Sequence, residues 1–111
     1  MARKFDPSKS LVNSDKLQDF LREELVQDIR SVPGIGPKAA ESMAEDGVRT
    51  TYQLIGKFLS FCDGSTTQEA CDNFWSWLGE HKVAGWRSGV TEAIAEKTNM
   101  MIPGIYNAED L

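Results

Sequence analysis

The residues best suited to chemistry lie in one short stretch, residues 32–38, which reads Val-Pro-Gly-Ile-Gly-Pro-Lys. Gly34 and Gly36 carry no Cβ atom, so the backbone there can adopt a positive φ and can closely approach another molecule. Pro37 has a preset φ and lacks an N–H, which suits the first position of a helix. The unpaired N–H groups and the dipole of that helix favour an anion such as a phosphate, and Lys38 would add a positive charge.

Segments with helical periodicity lie on both sides of this stretch, so we expect a helix, a tight glycine turn and a second helix. The first helix starts at the N-cap candidate Ser14, has room to break near residues 25–26 and ends before Pro33. Its apolar residues at helical spacing are Leu17, Phe20, Leu21, Leu25 and Ile29. The pattern is typical of a helix-hairpin-helix motif, which binds the DNA backbone through hairpin amides without reading sequence. A plain helix–helix connector with the same glycines is the alternative.

The helix after the hairpin is short, and the one that follows it is broadly apolar. Ala39, Ala40 and Met43 give the second helix a small-residue face, and Gly47 is its expected C′ residue. Thr50 or Thr51 would cap the third helix. Its apolar residues are Tyr52, Leu54, Ile55, Phe58, Leu59 and Phe61. Such a helix is central to the core or buried in a second interface, and Gly56 in its middle indicates close approach of another backbone.

Two further helices are expected after residue 65. Thr66 or Thr67 would cap the fourth helix, and Trp75 falls off its apolar stripe and would be exposed or at an interface. That stripe consists of Ala70, Cys71, Phe74, Trp77 and Leu78. The inner residues of the last helix are Trp86, Val90, Ala93, Ile94 and Lys97. The turn at residues 79–85 lacks a Gly-x-Gly, so this second helical pair is interpreted as a degenerate copy of the first.

Composition indicates one small domain. The chain has 111 residues, of which 41% are hydrophobic, and this suits a single core. We expect a flexible, mildly basic arm at residues 1–13, the helical domain at 14–99 and a tail at 100–111 that packs through Ile102, Ile105 and Tyr106. Two cysteines without a CxxC spacing, no bilayer-length apolar run and no signal-peptide pattern are typical of a soluble intracellular protein.

The charge balance argues against strong DNA binding. The net charge is −5 and the sequence pI is about 4.8, whereas Lys and Arg contacts to phosphate supply nearly all non-specific affinity. The charge is uneven, however. Residues 63–80 hold four acidic residues and no Lys or Arg, while Arg30 and Lys38 lie near the hairpin and Lys82 and Arg87 lie in the later turn. An acidic protein with one positive face would bind DNA weakly and with strong salt dependence.

The sequence gives little indication of metal binding, catalysis or base stacking. His81 is the only histidine and has no partner at metal-ligand spacing, so it is interpreted as a surface residue, and no metal or cofactor is expected. No serine lies in a nucleophile elbow, and the glycine spacing of the hairpin differs from a Walker loop. Helical placement of Trp75, Trp77 and Trp86 favours core packing over base stacking. We therefore expect no enzyme activity.

The order of these elements resembles the barrier-to-autointegration factor family of chromatin-bridging proteins. The similarity runs from about Ser14 to Asn99. Its matching blocks are Asp19-Phe20, residues 31–36, Gly47, Tyr52, residues 54–59, Phe74 and Trp77-Leu78. The resemblance implies an all-α fold, a compact five-helix bundle that contains a helix-hairpin-helix motif.

The resemblance also implies a function, namely non-sequence-specific binding and bridging of double-stranded DNA by a homodimer. By position, the implied DNA-binding residues are Lys16, Gly34, Ile35, Gly36, Lys38, Ala39 and Arg87. The implied dimer interface consists of Gly56, Lys57, Phe58 and Leu59. Chromatin or nuclear-membrane proteins are the implied further partners, without membrane insertion, and the implied compartments are the nucleus and cytoplasm.

The chain departs from the family pattern at several positions. Glu41 and Ser42 stand where the family has a lysine pair, which should reduce DNA affinity by about an order of magnitude at moderate salt. Asn73 replaces an apolar seam residue, and Trp75 replaces a polar one. The alternative function is therefore an acidic protein-interaction module of the same fold that has lost DNA binding. A domain within a larger repair or nuclease assembly is a third hypothesis, and it rests on the hairpin alone.

Overall fold

Five α-helices build the bundle in the computed structural model, which describes residues 4–10, 14–83, 85–107, 109 and 111. The helices are α1 (Ser14–Arg22), α2 (Pro37–Glu45), α3 (Thr51–Cys62), α4 (Thr67–Glu80) and α5 (Arg87–Met101), with short 3₁₀ helices at Pro7–Lys9 and Ile29–Ser31. Across the described residues the only extended pairing is an isolated bridge between Asp28 and Thr50. The expected all-α five-helix fold is confirmed.

The starts of α2, α3 and α4 follow from local sequence signals. Gly36 is the N-cap residue of α2 and Pro37 is its first residue. Thr50 caps α3 in a capping box with Gln53, and Thr66 caps α4 in a second capping box with Glu69. In each box a threonine hydroxyl accepts from a backbone N–H while the partner side chain accepts from the cap residue's own N–H.

The core is built around α5, which packs against α1, α3 and α4. Val90, Ala93, Ile94 and Ala95 are all fully buried along this helix. Small residues on several faces let three helices approach α5 closely, so its burial is not confined to one stripe. Beside it, Phe74 of α4 contacts Phe58 of α3 edge-on, with 5.4 Å between ring centroids. The broadly apolar α3 thus shares the centre of the bundle with α5.

The first helix is shorter than the sequence pattern predicts: it ends at Arg22, before the expected break at residues 25–26 and well before Pro33. Lys97 of α5 is 6% exposed, and its ammonium group terminates α1. Lys97 Nζ donates to the carbonyl oxygens of Phe20 at 2.9 Å, Leu21 at 3.0 Å and Glu23 at 2.6 Å. These carbonyls would otherwise lack partners at a helix end, and a cation there also complements the helix dipole.

Residues 4–10 lie against the bundle, although the sequence predicts a flexible arm there. Phe5 is fully buried, and its backbone N–H donates to the Asp72 carboxylate at 2.9 Å. The Gln68 side chain donates to the Phe5 carbonyl at 3.1 Å, so α4 engages the backbone of Phe5 on both sides. In the tail Tyr106 is buried and Ile105 is half-buried, whereas Ile102, expected to pack, is 45% exposed. The boundaries of the three segments stay a prediction.

His81 is half-buried, and not the surface residue expected from its polar surroundings. Its Nδ1 lies 3.0 Å from the Ser42 hydroxyl, and its Nε2 lies 3.5 Å from Asp46 Oδ2. The same Asp46 oxygen accepts from Trp77 Nε1 at 3.1 Å. Ser42 lies inside α2 and His81 is the C-cap residue of α4, so these contacts join α2 to α4.

Candidate nucleic-acid interface

The hairpin is a tight turn that the core holds in place. Val32 and Ile35 are 1% and 5% exposed, and the Ile35 amide donates to the Val32 carbonyl at 3.1 Å. The element before the turn is the single 3₁₀ turn Ile29–Ser31, where the sequence predicts the end of a longer α-helix. The hairpin therefore connects a 3₁₀ turn to α2, and its position depends on the two buried apolar side chains.

Gly34 cannot carry a side chain, both because of its backbone conformation and because neighbouring atoms leave no room for a Cβ. Its φ is +96°, a region that residues with a Cβ rarely adopt. A Cβ at Gly34 would lie 2.8 Å from Val90 Cγ2 and 3.1 Å from Trp86 Cβ. The hairpin thus packs directly against the start of α5. Gly36 differs, because a Cβ there would meet no atom within 4 Å and its φ of −97° is accessible to any residue.

The backbone amides at the hairpin could bind a phosphate, but the predicted DNA-binding residues differ in whether their amides are free to do so. Within the part of the chain that the structure describes, the amides of Gly34 and Gly36 have no backbone acceptor, whereas the Ile35 amide is used inside the turn. The first N–H groups of α2, at Lys38 and Ala39, have no intrahelical partner, and Gly36 provides no side-chain cap. The Ala39 side chain is buried, so this residue offers only its amide.

One surface depression beside the hairpin, of about 500 Å³, has mixed charge. Lys16, Asp19 and Glu23 all lie in its wall, together with Arg30 and residues 32–36. The Arg30 guanidinium forms an ion pair with Asp28 at 3.2 Å, and this hydrogen-bonded pair lowers the pKa of the Asp28 carboxyl below its usual value. With two carboxylates in its wall and Arg30 paired, this depression offers an approaching phosphate little net attraction.

A second depression, of about 670 Å³, lies on the other side of the hairpin, and we call it the lysine cleft. Its lining residues are Gly34, Gly36, Pro37, Lys38, Ala39, Lys82, Val83, Gly85 and Trp86. Lys38 and Lys82 are exposed, and no acidic residue occurs among the lining residues. The described structure gives neither lysine an ion pair or a hydrogen bond. The lysine cleft therefore joins two positive charges to the amides at the start of α2.

Lys82 has an unusual backbone, with a φ of +68°. It follows the C-cap of α4 in a Schellman motif, in which the Val83 amide donates to the Leu78 carbonyl at 3.1 Å. The end of α2 has the same motif with Gly47 at φ +83° and a Val48-to-Met43 bond of 3.0 Å. A lysine thus occupies a position that usually takes glycine, at a conformational cost of about 1 kcal/mol.

Arg87, which the family pattern places among the DNA contacts, lies in neither depression at the hairpin. Its guanidinium stacks on the Trp75 ring at 3.5 Å, and a Cβ on Gly79 would collide with it. It instead lines a separate pocket with Lys4. The structure therefore brings together six of the seven sequence-predicted DNA-binding residues around the hairpin, divided between its two sides, and directs Arg87 elsewhere.

Trp86 is the residue at this site that sequence reasoning missed. The helical pattern assigns it to the core, but its side chain is 46% exposed. It is the N-cap residue of α5 and therefore precedes the buried stripe of that helix. Trp86 lines both depressions beside the hairpin. The signal available in the sequence was its position directly after Gly85, in the turn that faces the hairpin.

The residues implied for a dimer interface differ in their exposure. Gly56 is exposed, Lys57 and Leu59 are half-buried, and Phe58 is 1% exposed. Because Phe58 packs against Phe74 within the subunit, it belongs to the core of one chain and offers no seam surface. Gly56 has no atom within 4 Å of the position that a Cβ would take. The outer face of α3 is thus open around Gly56.

Comparison with known proteins agrees with this geometry. A family model described as barrier to autointegration factor matches residues 11–87, about two thirds of the chain. Neither the curated proteins nor the solved structures include a significant match. In the described ranges no helix is long and apolar enough to cross a membrane. The matched family is a non-enzymatic DNA-binding and chromatin fold, which supports a DNA-binding or chromatin-related role. By this match, the chain belongs to the barrier-to-autointegration factor family.

Proposed function

We propose that this protein binds double-stranded DNA without sequence preference, by holding a backbone phosphate at the hairpin. The observation that carries the proposal is the lysine cleft, where Lys38 and Lys82 line the same depression as Gly34, Gly36 and the start of α2, with no acidic residue in the lining. Backbone amides at a helix N-terminus complement a phosphate in both charge and geometry. Because phosphates are common to every sequence, such contacts position DNA without reading bases.

The overall charge of the chain sets the strength of this binding. A net charge of −5 repels DNA at long range, so the affinity depends on the local contacts of the lysine cleft. Glu41 and Ser42 lie one turn into α2 and add no positive charge. With few lysine–phosphate contacts, we expect tight binding only at low salt and a steep loss of affinity at physiological salt.

The first experiment is a titration with a short random-sequence duplex at low and at physiological salt. Lys38→Glu should lower the affinity by about tenfold or more for all sequences alike, because it replaces a phosphate-neutralising charge by a repelling one. Arg49→Glu, at an exposed position outside both depressions, makes the same change of net charge and is the matched control. Binding that Lys38→Glu leaves unaltered would exclude the lysine cleft as the site.

A second variant tests whether a phosphate approaches the hairpin amides closely, without any change of charge. Gly36→Ser places a side chain in open space at the hairpin, and its hydroxyl can cap α2. We expect the melting temperature to stay constant or rise while DNA affinity falls, because the hydroxyl occupies the amides that the phosphate needs. A fall in both quantities would indicate damage to the fold and would not support the hairpin as a phosphate site.

We further propose that two copies associate through the outer face of α3 and so bridge two duplexes. Support comes from the open surface at Gly56, where a second helix can approach closely. Gly56→Glu should give a monomer in light scattering that still binds one duplex and no longer bridges two. Gly56→Ala is the matched control, because it should stabilise the helix by about 1 kcal/mol with little added bulk. A wild-type monomer at high concentration would overturn this proposal.

The alternative, an acidic protein-interaction module, is favoured by the mixed-charge depression with Asp19 and Glu23 in its wall. It predicts no DNA binding at low salt, together with association that is insensitive to Lys38→Glu. Chromatin or nuclear-membrane proteins are the partners that the family suggests, and the nucleus and cytoplasm are the compartments in which we propose the protein acts.

A further inference from the structure

The exposed tryptophan in the lysine cleft is not explained by phosphate binding alone. Trp86 is 46% exposed, and its indole borders the same depression as Lys38 and Lys82. An indole adds nothing to the neutralisation of a phosphate. An exposed indole beside two positive charges matches a ligand with both an anionic part and a flat apolar part.

We propose that Trp86 is a stacking platform for an unpaired nucleobase, so that the site prefers DNA with single-stranded ends, gaps or flaps over an intact duplex. The proposal rests on the proposed DNA binding at the hairpin and names the form of DNA that this site takes. In a nucleotide the base and the phosphate belong to one unit, which matches an indole and a phosphate-binding turn that line one cleft. In a paired duplex the flat faces of the bases are covered by their neighbours and are not accessible to an indole.

Local geometry fixes Trp86 beside the hairpin. Its Cβ would lie 3.1 Å from a Cβ on Gly34, and its carbonyl oxygen accepts from the Val90 amide at 2.9 Å. The backbone of Trp86 is therefore fixed by the first turn of α5, and the hairpin packs against its Cβ. Trp86 lines the depressions on both sides of the hairpin. A base on this indole would thus be next to the phosphate that the hairpin holds.

The two lysines favour the lysine cleft over the opposite depression as the place for the base. That opposite depression includes Asp19 and Glu23, which repel a nucleotide. Lys82 retains its position despite a left-handed backbone that costs about 1 kcal/mol, as expected for a side chain that is needed in the cleft. Aromatic stacking together with cationic contacts is the usual combination in proteins that bind single-stranded nucleic acid.

The test compares one short duplex with the same duplex carrying a single-stranded overhang, at equal salt. We expect the wild-type protein to prefer the overhang form by about tenfold, since stacking on an aromatic ring contributes roughly this factor or more per base. Trp86→Ala should abolish the preference, because it should lower the affinity for the overhang form more than the affinity for the intact duplex. Because alanine keeps the Cβ that the hairpin packs against, its effect on the fold should be small, and the melting temperature checks this.

Two further variants separate stacking from bulk. Trp86→Phe retains a ring and should keep most of the preference, whereas Trp86→Leu retains apolar volume without a ring and should lose it. 2-Aminopurine placed in the overhang should be quenched by the wild type and by Trp86→Phe only. Lys38→Glu should weaken binding of both DNA forms, because it acts on the phosphate.

The outcomes distinguish this inference from the proposed function beneath it. Equal affinity of the wild type for both DNA forms, or an equal loss for both in Trp86→Ala, would overturn the stacking proposal while DNA binding at the hairpin stands. Absence of binding to either form at low salt would overturn DNA binding itself.

Discussion

At the scale of single residues, Lys82 and Gly47 can be compared to find how much a side chain lowers the free energy of unfolding at a left-handed backbone position. Both follow helix C-caps in the same Schellman motif, at φ values of +68° and +83°. Lys82→Gly should raise the free energy of unfolding by about 1 kcal/mol, because glycine adopts this backbone without strain. It should also weaken DNA binding, because it removes one of the two cations of the lysine cleft.

The reciprocal change provides the control for this prediction. Gly47→Lys should lower the free energy of unfolding by a similar amount, about 1 kcal/mol, since a Cβ there meets no other atom and only the backbone conformation is penalised. Chemical denaturation of both variants measures the two effects. If both changes left stability unaltered, the left-handed backbone at these positions would carry no cost, and Lys82 would not be strained.

At the scale of elements, Lys97 determines where α1 ends. Lys97→Met keeps the apolar stem but leaves the carbonyls of Phe20, Leu21 and Glu23 without their donor. We expect a loss of about 3 kcal/mol in the free energy of unfolding, because buried acceptors lose hydrogen bonds to a charged group. Amide exchange should accelerate in the last turn of α1.

Lys97→Arg retains the charge and should recover part of the lost stability. If the amides of α1 exchanged at the same rates in Lys97→Met as in the wild type, the end of α1 would be determined by its own sequence and not by Lys97. The ring of Phe20 lies 5.4 Å from Lys97 Nζ, so the ammonium group also contacts an aromatic face, and this contact contributes to the measured loss.

The contrast between α2 and α1 shows what the sequence could predict. The start and end of α2 depend on Gly36, Pro37 and Gly47, whose effects act within a few residues, and the prediction matches the structure. The end of α1 depends on Lys97, more than 70 residues away along the chain. Helical spacing places Lys97 with the inner residues of the last helix, but no local pattern shows that its ammonium group reaches three carbonyls of α1.

The candidate site likewise contains some residues that the local sequence predicts and others that only tertiary packing brings to the hairpin. The glycine turn and Lys38 follow from the spacing of residues 32–38. The roles of Trp86 and Lys82 depend on how the turn before α5 packs beside the hairpin, and this is a tertiary relation. Arg87 matched the family by position, but its stacking on Trp75 depends on the missing side chain at Gly79.

At the scale of the whole molecule, two half-buried carboxylates make stability depend on pH. Glu92 and Glu96 lie one turn apart on α5, and burial raises the pKa of both, with the charge of Glu96 raising the pKa of Glu92 further. The folded state therefore binds these protons more tightly than the unfolded chain. Their contribution to stability is fully present below the unfolded pKa and is lost as the pH rises through the raised folded values.

Glu92→Gln should accordingly raise the melting temperature at neutral pH and reduce its decline between acidic and neutral pH. Thermal unfolding followed across that range measures both effects. Glu24→Gln, at an exposed position, is the control for loss of one negative charge. A lower melting temperature for Glu92→Gln at neutral pH would show that the ionised carboxylate makes a stabilising contact.

Burial of Phe5 delays completion of the fold until most of the chain has left the ribosome. Phe5 is held by Gln68 and Asp72 of α4, and α1 is terminated by Lys97 of α5, so the earliest residues wait for the last two helices. Until α5 emerges, α3 and α4 can pack on each other through Phe58 and Phe74, but the apolar residues that they turn towards α5 have no cover. Folding during synthesis therefore ends when α4 has received Phe5 and α5 has closed the end of α1, and a fragment that stops at residue 87 would lack the helix on which the bundle is built.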